Sequence, residues 1–172
     1  MSQSTDSLRQ HCTAQLRIGS PLGTLLLART AAGLAGAWFD GQKHHPGELT
    51  APVRSTDPLL CRTADQLHRY FAGQFTRFDL PLDLQGTPFQ RAVWLALLEI
   101  DTGTTQSYAA IARRVGSASA VRAVGGAIGR NPVSVIVPCH RVIGSDGSMT
   151  GYAGGIDRKL ALQTLERAAP PT

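Results

Sequence analysis

Cys139 sits in the tetrad Pro138-Cys139-His140-Arg141, with Val135-Ile136-Val137 before it and Val142-Ile143 after it. A cysteine reacts as its thiolate, and cations placed beside it lower the thiol pKa. His140 and Arg141 supply that charge. Pro138 fixes the backbone on the other side. The β-branched residues ahead of the tetrad belong in an interior, so the approach to the sulfur is expected to be buried. A cysteine of purely structural use is the common alternative. Such a thiol has no need of two cationic neighbours, so the tetrad reads as a nucleophile.

The elements that must position the tetrad follow from capping signals and periodicity. Thr87 before Pro88 marks a helix start, with a cap residue and then proline at the first helical position. Phe89, Val93, Trp94, Leu97 and Leu98 give that helix an apolar face, and Gly103 stops it. Ser107 caps a second helix over residues 108–115, and a third runs over about residues 118–129. Two short helices joined by a tight turn fit a helix-turn-helix. Residues 144–155 form a Gly/Ser loop; residues 157–168 form a last helix with Leu160, Leu162 and Leu165 available for burial. Ahead of the boundary at Gly86, short runs broken by Ser20-Pro21-Leu22-Gly23 and by Gly33 read as an antiparallel meander. Residues 40–57 are a surface connection. Residues 58–73 carry Leu59, Leu60, Ala64, Leu67, Tyr70 and Phe71 at helical spacing. Phe78, Leu80, Leu82 and Leu84 alternate as a strand or extended linker, and residues 1–11 are expected to be a loose tail. The fold class is α/β. A small N-terminal antiparallel sheet-plus-helix domain, residues 1–84, precedes a mainly helical C-terminal domain with the helix-turn-helix, residues 85–172.

Composition narrows the partner. Of 172 residues 42% are hydrophobic and 17% charged, which is the make-up of a folded domain. Lys plus Arg number 17 against 12 Asp plus Glu, and only Lys43 and Lys159 are lysine. Arginine forks onto phosphate and stacks on bases, so an anionic partner is expected, nucleic acid foremost. Cys12, Cys61 and Cys139 stand too far apart for a disulfide framework or a zinc ribbon. His11, His44, His45 and His68 complete no metal tetrad with them, so no metal is expected. Gly125, Gly126 and Gly129 lie late in a helix with no strand before it, which argues against a dinucleotide site; no cofactor is expected. The polar start of the chain and the lack of a long apolar run point to the cytoplasm and no membrane contact, and the chain is expected to be a monomer.

Asn131-Pro132, the apolar run and Pro138-Cys139-His140-Arg141-Val142 together resemble the active-site signature of the O6-alkylguanine-DNA alkyltransferases. The resemblance extends over residues 86–166, and more weakly over the N-terminal half through Ser20-Pro21-Leu22-Gly23. It implies a repair protein that binds double-stranded DNA, flips O6-alkylguanine, possible O4-alkylthymine included, and takes the alkyl group onto Cys139 once. Displacement at an ether carbon needs a soft nucleophile, which a thiolate is. By the same resemblance, His140 takes the thiol proton through water, Glu166 orients His140, and Tyr108 donates its phenolic proton toward the guanine ring. The carbonyls of Cys139 and Val142 face the exocyclic amine and Tyr152 walls the alkyl pocket. Ala153 stands where other members carry serine, so a hydroxyl contact is lost; Gly154 and Gly155 keep that loop close to the base. Asn131 ties the helix-turn-helix to the active-site strand. Arg122, on a thin helix face with Val121, Ala123 and Gly125, fills the gap left by the flipped base. A DNA-binding regulator or damage marker that only binds the lesion, and a cysteine hydrolase or thiol transferase with no DNA role, are the rival readings. Cys139 argues against the first; Arg122 and the helix-turn-helix argue against the second.

Overall fold

The computed structural model of the chain describes residues 3–75 and 77–168. Strands β1 (Ala14–Ile18), β2 (Leu25–Arg29) and β3 (Leu34–Phe39) form an antiparallel sheet in the order β1-β2-β3. β2 reads Leu-Leu-Leu-Ala-Arg without polar alternation because both sheet faces are covered. Leu25 and Leu27 enter the main core with Phe39 and Leu60, while Leu26 and Ala28 join Trp38 and Leu8 in a second cluster. Trp38 lies over Gly36, where a Cβ would meet the indole at 1.7 Å, so only glycine fits there.

That second face orders the N-terminus. Residues 3–11 are not a loose tail but a helix, α1 (Gln3–His11), with Leu8 buried; residues 1 and 2 lie outside the described residues. A sheet face carrying Leu26, Ala28 and Trp38 needs an apolar cover, and Leu8 supplies part of it.

Helix α2 (Pro58–Phe71) starts where the Asp57 carboxylate accepts from Leu60 N at 3.0 Å, and it buries Leu59, Leu60, Ala64, Leu67 and Tyr70. The stretch after it is extended and meets the sheet edge at the bridge Leu34↔Leu82. Helix α3 (Pro88–Leu97) opens in a capping box between Thr87 and Gln90, and it ends at Leu97, well before Gly103. Ser107 caps α4 (Tyr108–Arg114), and α5 (Val121–Gly129) follows a turn through Gly116 at φ +72°. The third of these helices starts later than expected because residues 117–120 belong to the turn. Helices α3, α4 and α5 pack on one another, with Trp94 Nε1 donating to Ala127 O at 2.8 Å.

Residues 131–138 are buried throughout but form turns rather than a strand. Val135 has φ +72°, an uncommon conformation for a β-branched residue. The segment hangs on the edge of β3: Ala37 N donates to Pro132 O and Ser134 N to Ala37 O, both at 2.9 Å. The N-terminal sheet thus carries the approach to Cys139. Short strands β4 (Gln106–Ser107) and β5 (Val142–Ile143) pair in parallel, β5 following directly on the Cys139 turn.

The last helix, α6 (Ile156–Ala168), departs from expectation. Its buried face is Lys159, Leu162, Gln163 and Glu166, at i, i+3, i+4 and i+7, while Leu160 is 43% exposed and Leu165 only partly covered. The helix packs on the turn that holds Cys139 rather than on a wholly apolar core, so most of its inward face is polar. Among the described residues no helix is long and apolar enough to cross a membrane.

Candidate active site

Cys139 opens a 3-10 turn, Cys139–Arg141, and its side chain is buried. Asn131 Nδ2 donates to Sγ at 3.1 Å and to Val137 O at 2.8 Å, while Asn131 Oδ1 accepts from Val133 N at 2.9 Å. The amide is therefore locked in one orientation with its donor on the sulfur. Burial pushes the thiol up from 9.0 to about 11, against the opposing pull of Asn131 and of Lys159. The expected depression of the thiol pKa by its sequence neighbours is thus overturned, and the cause is geometric. His140 and Arg141 both direct their hydrogen bonds to Glu166.

Glu166 is 4% exposed and crowded with donors. Oε1 accepts from His140 Nε2 at 2.6 Å and from Arg141 Nη2 at 2.8 Å; Oε2 accepts from Arg141 Nε at 3.0 Å. Burial opposes its ionisation, but the hydrogen bonds from His140 and Arg141 hold the carboxyl well below the usual range. A carboxylate only accepts, so the His140 proton sits on Nε2 and Nδ1 is left as a lone pair. That Nδ1 is buried with no hydrogen-bond partner among the described residues. Burial lowers the His140 pKa despite Glu166, which keeps the ring neutral. Arg141 is anchored in turn by Ile100 O at 2.5 Å, and Gln163 Nε2 holds His140 O at 2.7 Å. The resting arrangement is a protonated thiol, a neutral imidazole with a free lone pair, and a charge-balanced Arg141–Glu166 pair.

Two further groups surround the sulfur. Lys159 is fully buried and, among the described residues, has no carboxylate on it; Nζ donates to Thr150 O at 2.9 Å and stands 5.8 Å from the Tyr108 ring centroid. Burial lowers its pKa, and the Cys139 thiolate, once formed, pulls it back up. Tyr108 donates to the same carbonyls, Thr150 O at 2.9 Å and Gly151 O at 3.2 Å. Tyr152 has a buried hydroxyl with no hydrogen-bond partner among the described residues. Gly154 lets the loop fold over it, since a Cβ there would meet the Tyr152 ring at 2.6 Å. Ala153 O accepts from Lys43 N at 2.9 Å, which ties this loop to the N-terminal half. Val142 N donates to Cys139 O, leaving that carbonyl one lone pair.

The helix-turn-helix presents the remaining sequence candidates. Val121, Arg122 and Ala123 are exposed on the first turn of α5, while Val124, Ala127 and Ile128 are buried beneath. Among the described residues Arg122 makes no ion pair or hydrogen bond with a side chain or carbonyl. Gly125 faces Tyr108, at 3.8 Å from a built Cβ, so one helix links the exposed face to the site. The structure brings together Cys139, His140, Glu166, Asn131, Val142 and Tyr108, with Tyr152, Ala153 and Gly154 on one loop, and leaves Arg122, Val121 and Ala123 on the open helix face.

Sequence reasoning missed Lys159 and Tyr70, whose hydroxyl donates to Glu166 Oε1 at 2.8 Å. The signal for Lys159 was its place at i−7 from Glu166 on one helix face in a chain with only two lysines. A groove of about 1110 Å³ runs along Tyr70, Ile136, Arg141 and Glu166, on the relay side of the site, and Cys139 does not line it. Among the described residues no group of three or more His, Cys, Asp or Glu could hold a metal ion.

A buried acceptor thiol, a histidine–carboxylate pair and a helix-turn-helix on one frame define a thiol-dependent group-transfer protein. The 6-O-methylguanine DNA methyltransferase ribonuclease-like domain matches residues 17–84, and the DNA binding domain of the same family matches residues 88–168. The chain belongs to the 6-O-methylguanine DNA methyltransferase family, whose activity is DNA repair by alkyl transfer to a cysteine of the protein. A methylated-DNA–protein-cysteine methyltransferase of Mycobacterium tuberculosis is 48% identical over 155 residues, covering 90% of this chain and 92% of its own. One from Methanosarcina barkeri is 47% identical over 150 residues, covering 87% and 94%. The solved Mycobacterium tuberculosis O6-methylguanine methyltransferase superposes with a TM-score of 0.84 at 45% identity, over 92% of this chain and 95% of that one. The Mycobacterium tuberculosis OGT in complex with DNA gives 0.82 at 47% identity, over 91% and 95%.

Proposed function

We propose that this chain takes the alkyl group from O6-alkylguanine in double-stranded DNA onto Cys139, once per molecule. The observation that carries the reading is the pair of contacts at the thiol and its neighbour: Asn131 Nδ2 on Sγ, and the adjacent His140 held by Glu166 with its lone pair free. Cys139 gives its proton to His140 Nδ1 through one water. Sulfur then attacks the alkyl carbon, the carbon–O6 bond breaks, and the guanine ring takes the phenolic proton of Tyr108. Tyr108 must leave Thr150 O and Gly151 O to do so, and Lys159 keeps both carbonyls bonded when it goes. The ammonium also favours the thiolate and the phenolate that form. The product thioether is a poor leaving group, so the thiol is consumed.

Arg122 enters the duplex where the base has left, with Val121, Ala123 and Gly125 forming the close-approaching face. Val142 and Cys139 carbonyls read the exocyclic amine, and Tyr152, Ala153 and Gly154 line the alkyl side. The reading also takes residues 1–84 and 85–172 as two domains, the protein as a monomer, and the cytoplasm as its place, where thiols stay reduced. Mass spectrometry after mixing with a methylated oligonucleotide tests it. One methyl mass on the Cys139 peptide and no second turnover are expected, with Cys139→Ala binding DNA and gaining nothing. Repeated turnover without added thiol removes the single-use mechanism.

A further inference from the structure

Glu166 receives a hydrogen bond from the other half of the chain. Tyr70, near the end of α2, donates its hydroxyl to Oε1 at 2.8 Å, the same oxygen that accepts from His140 Nε2 at 2.6 Å. Tyr70 is 3% exposed, and its ring is held edge-on by Phe71 and Phe75, with centroids 5.4 and 5.1 Å away. The phenol is therefore a fixed donor, aimed by the packing of the N-terminal half. It stands on the wall of the groove that also reaches Glu166.

We propose that Tyr70 is a positioning residue of the alkyl-transfer reaction, its hydroxyl setting how tightly the Glu166–His140 pair binds a proton. The proposal rests on the relay read above. An oxygen that already accepts from Tyr70 and Arg141 offers less negative potential to the imidazole. Without the phenolic donor, Glu166 holds a charged His140 more strongly, and the histidine keeps a proton to higher pH. A histidine already protonated cannot take the proton of Cys139. The N-terminal half thus keeps the base free.

The other groups facing this pair stay unchanged when only the hydroxyl is removed. Arg141 reaches Glu166 from the turn and Gly103 N donates to Oε2 at 3.3 Å. Lys159 and Arg141 act on His140 by charge, and among the described residues Tyr152 and Cys139 are further titratable neighbours. Lys159 and Arg141 disfavour the imidazolium. Tyr70 acts in the same direction by weakening the one group that favours it.

The test compares Tyr70→Phe, which keeps the ring, with the wild-type chain and with Glu166→Gln. The His140 imidazole is titrated by NMR, and the single-turnover transfer rate is followed against pH. In Tyr70→Phe the His140 midpoint and the acid limb of the rate are expected to move up together by about one unit, a tenfold slower rate on that limb with the plateau kept. A 3-fluorotyrosine placed at position 70 is a stronger donor and is expected to move both down. Unmoved midpoints in both Tyr70 variants, or an equal loss of rate at every pH, overturn the proposal while leaving the relay intact. If Glu166→Gln folds and also leaves His140 unmoved, the relay itself is wrong and the role of Tyr70 falls with it. Should Glu166→Gln unfold because Arg141 loses its partner, the opposite signs of the two Tyr70 variants decide the matter alone.

Discussion

Asn131 Nδ2 and Cys139 Sγ lie 3.1 Å apart with the amide donating, so the residue at the end of the helix-turn-helix touches the acceptor sulfur itself. The same amide is pinned by Val137 O and Val133 N, which leaves it no freedom to turn away. A donor fixed there stabilises the thiolate more than the thiol, because the charged sulfur is the better acceptor. Asn131→Asp keeps the acceptor for Val133 N, removes the donor and adds negative charge beside the sulfur. The transfer rate is expected to fall by about 100-fold or more, and the pH midpoint of iodoacetamide alkylation to rise by about two units. Slow transfer with an unmoved midpoint would mean that Asn131 serves only the geometry of the turn.

Lys159 gives the second prediction. A fully buried ammonium without a carboxylate is costly, so its presence points to work at the site rather than to stability. Lys159→Met keeps an unbranched side chain, one atom shorter and without the ammonium, and Tyr108 still donates to the Thr150 and Gly151 carbonyls. Urea unfolding is expected to show unchanged or higher stability, by up to about 1 kcal/mol, while transfer slows about tenfold or more. A variant that transfers at the wild-type rate removes Lys159 from the mechanism.

The third prediction is a loss of stability in alkali. The folded Cys139 thiol ionises at about 11 against 9.0 for an ordinary thiol, so the native state holds its proton more tightly than the unfolded chain. The resulting stabilisation is complete below pH 9.0 and disappears as pH rises from 9.0 to about 11. Two units correspond to about 3 kcal/mol at most. Cys12, raised to about 11 by its own burial, behaves in the same way and remains in the variant. Unfolding at pH 8 and pH 10.5 is expected to show a smaller alkaline loss in Cys139→Ala than in the wild-type chain. Equal losses would mean that the folded thiol ionises as an ordinary one does, and a larger loss in Cys139→Ala would place the resting Cys139 as a thiolate.

Most of the architecture was readable because its signals are local. Thr87-Pro88 and Ser107 mark their helices by backbone caps, and the meander is punctuated by Pro and Gly. What was not readable depends on long-range partners. Helix α1 exists because Leu26, Ala28 and Trp38 need a cover, a demand made by strands up to 30 positions away. Periodicity picked Leu160 and Leu165 for burial on α6, but the face that packs on the Cys139 turn is Lys159, Gln163 and Glu166. The charges of His140 and Arg141 were visible in the tetrad. Their direction was not, because Glu166, 26 positions from His140, takes both. Tyr70 looked like one more apolar member of a helix face, since only its hydroxyl has a role and its partner is 96 positions off.

The fourth prediction separates extrusion of the base from the chemistry on it. Arg122 stands exposed on the first turn of α5, beside Val121 and Ala123, and is not part of the constellation around Cys139. If its side chain fills the stack after the base leaves, its loss matters only where there is a stack to fill. Unstacking costs a few kcal/mol in a duplex and much less for an unpaired base. A contact to phosphate alone acts differently: it weakens binding to all DNA and lowers the salt slope by about one unit. Arg122→Ala is therefore assayed at fixed salt on methylated duplex, methylated single strand and free O6-methylguanine. The expected result is a loss of about 100-fold on duplex, a smaller one on single strand and almost none on the free base. Equal losses on all three would place Arg122 in support of the thiol site, and an unchanged duplex rate would leave α5 without a residue that holds the gap open.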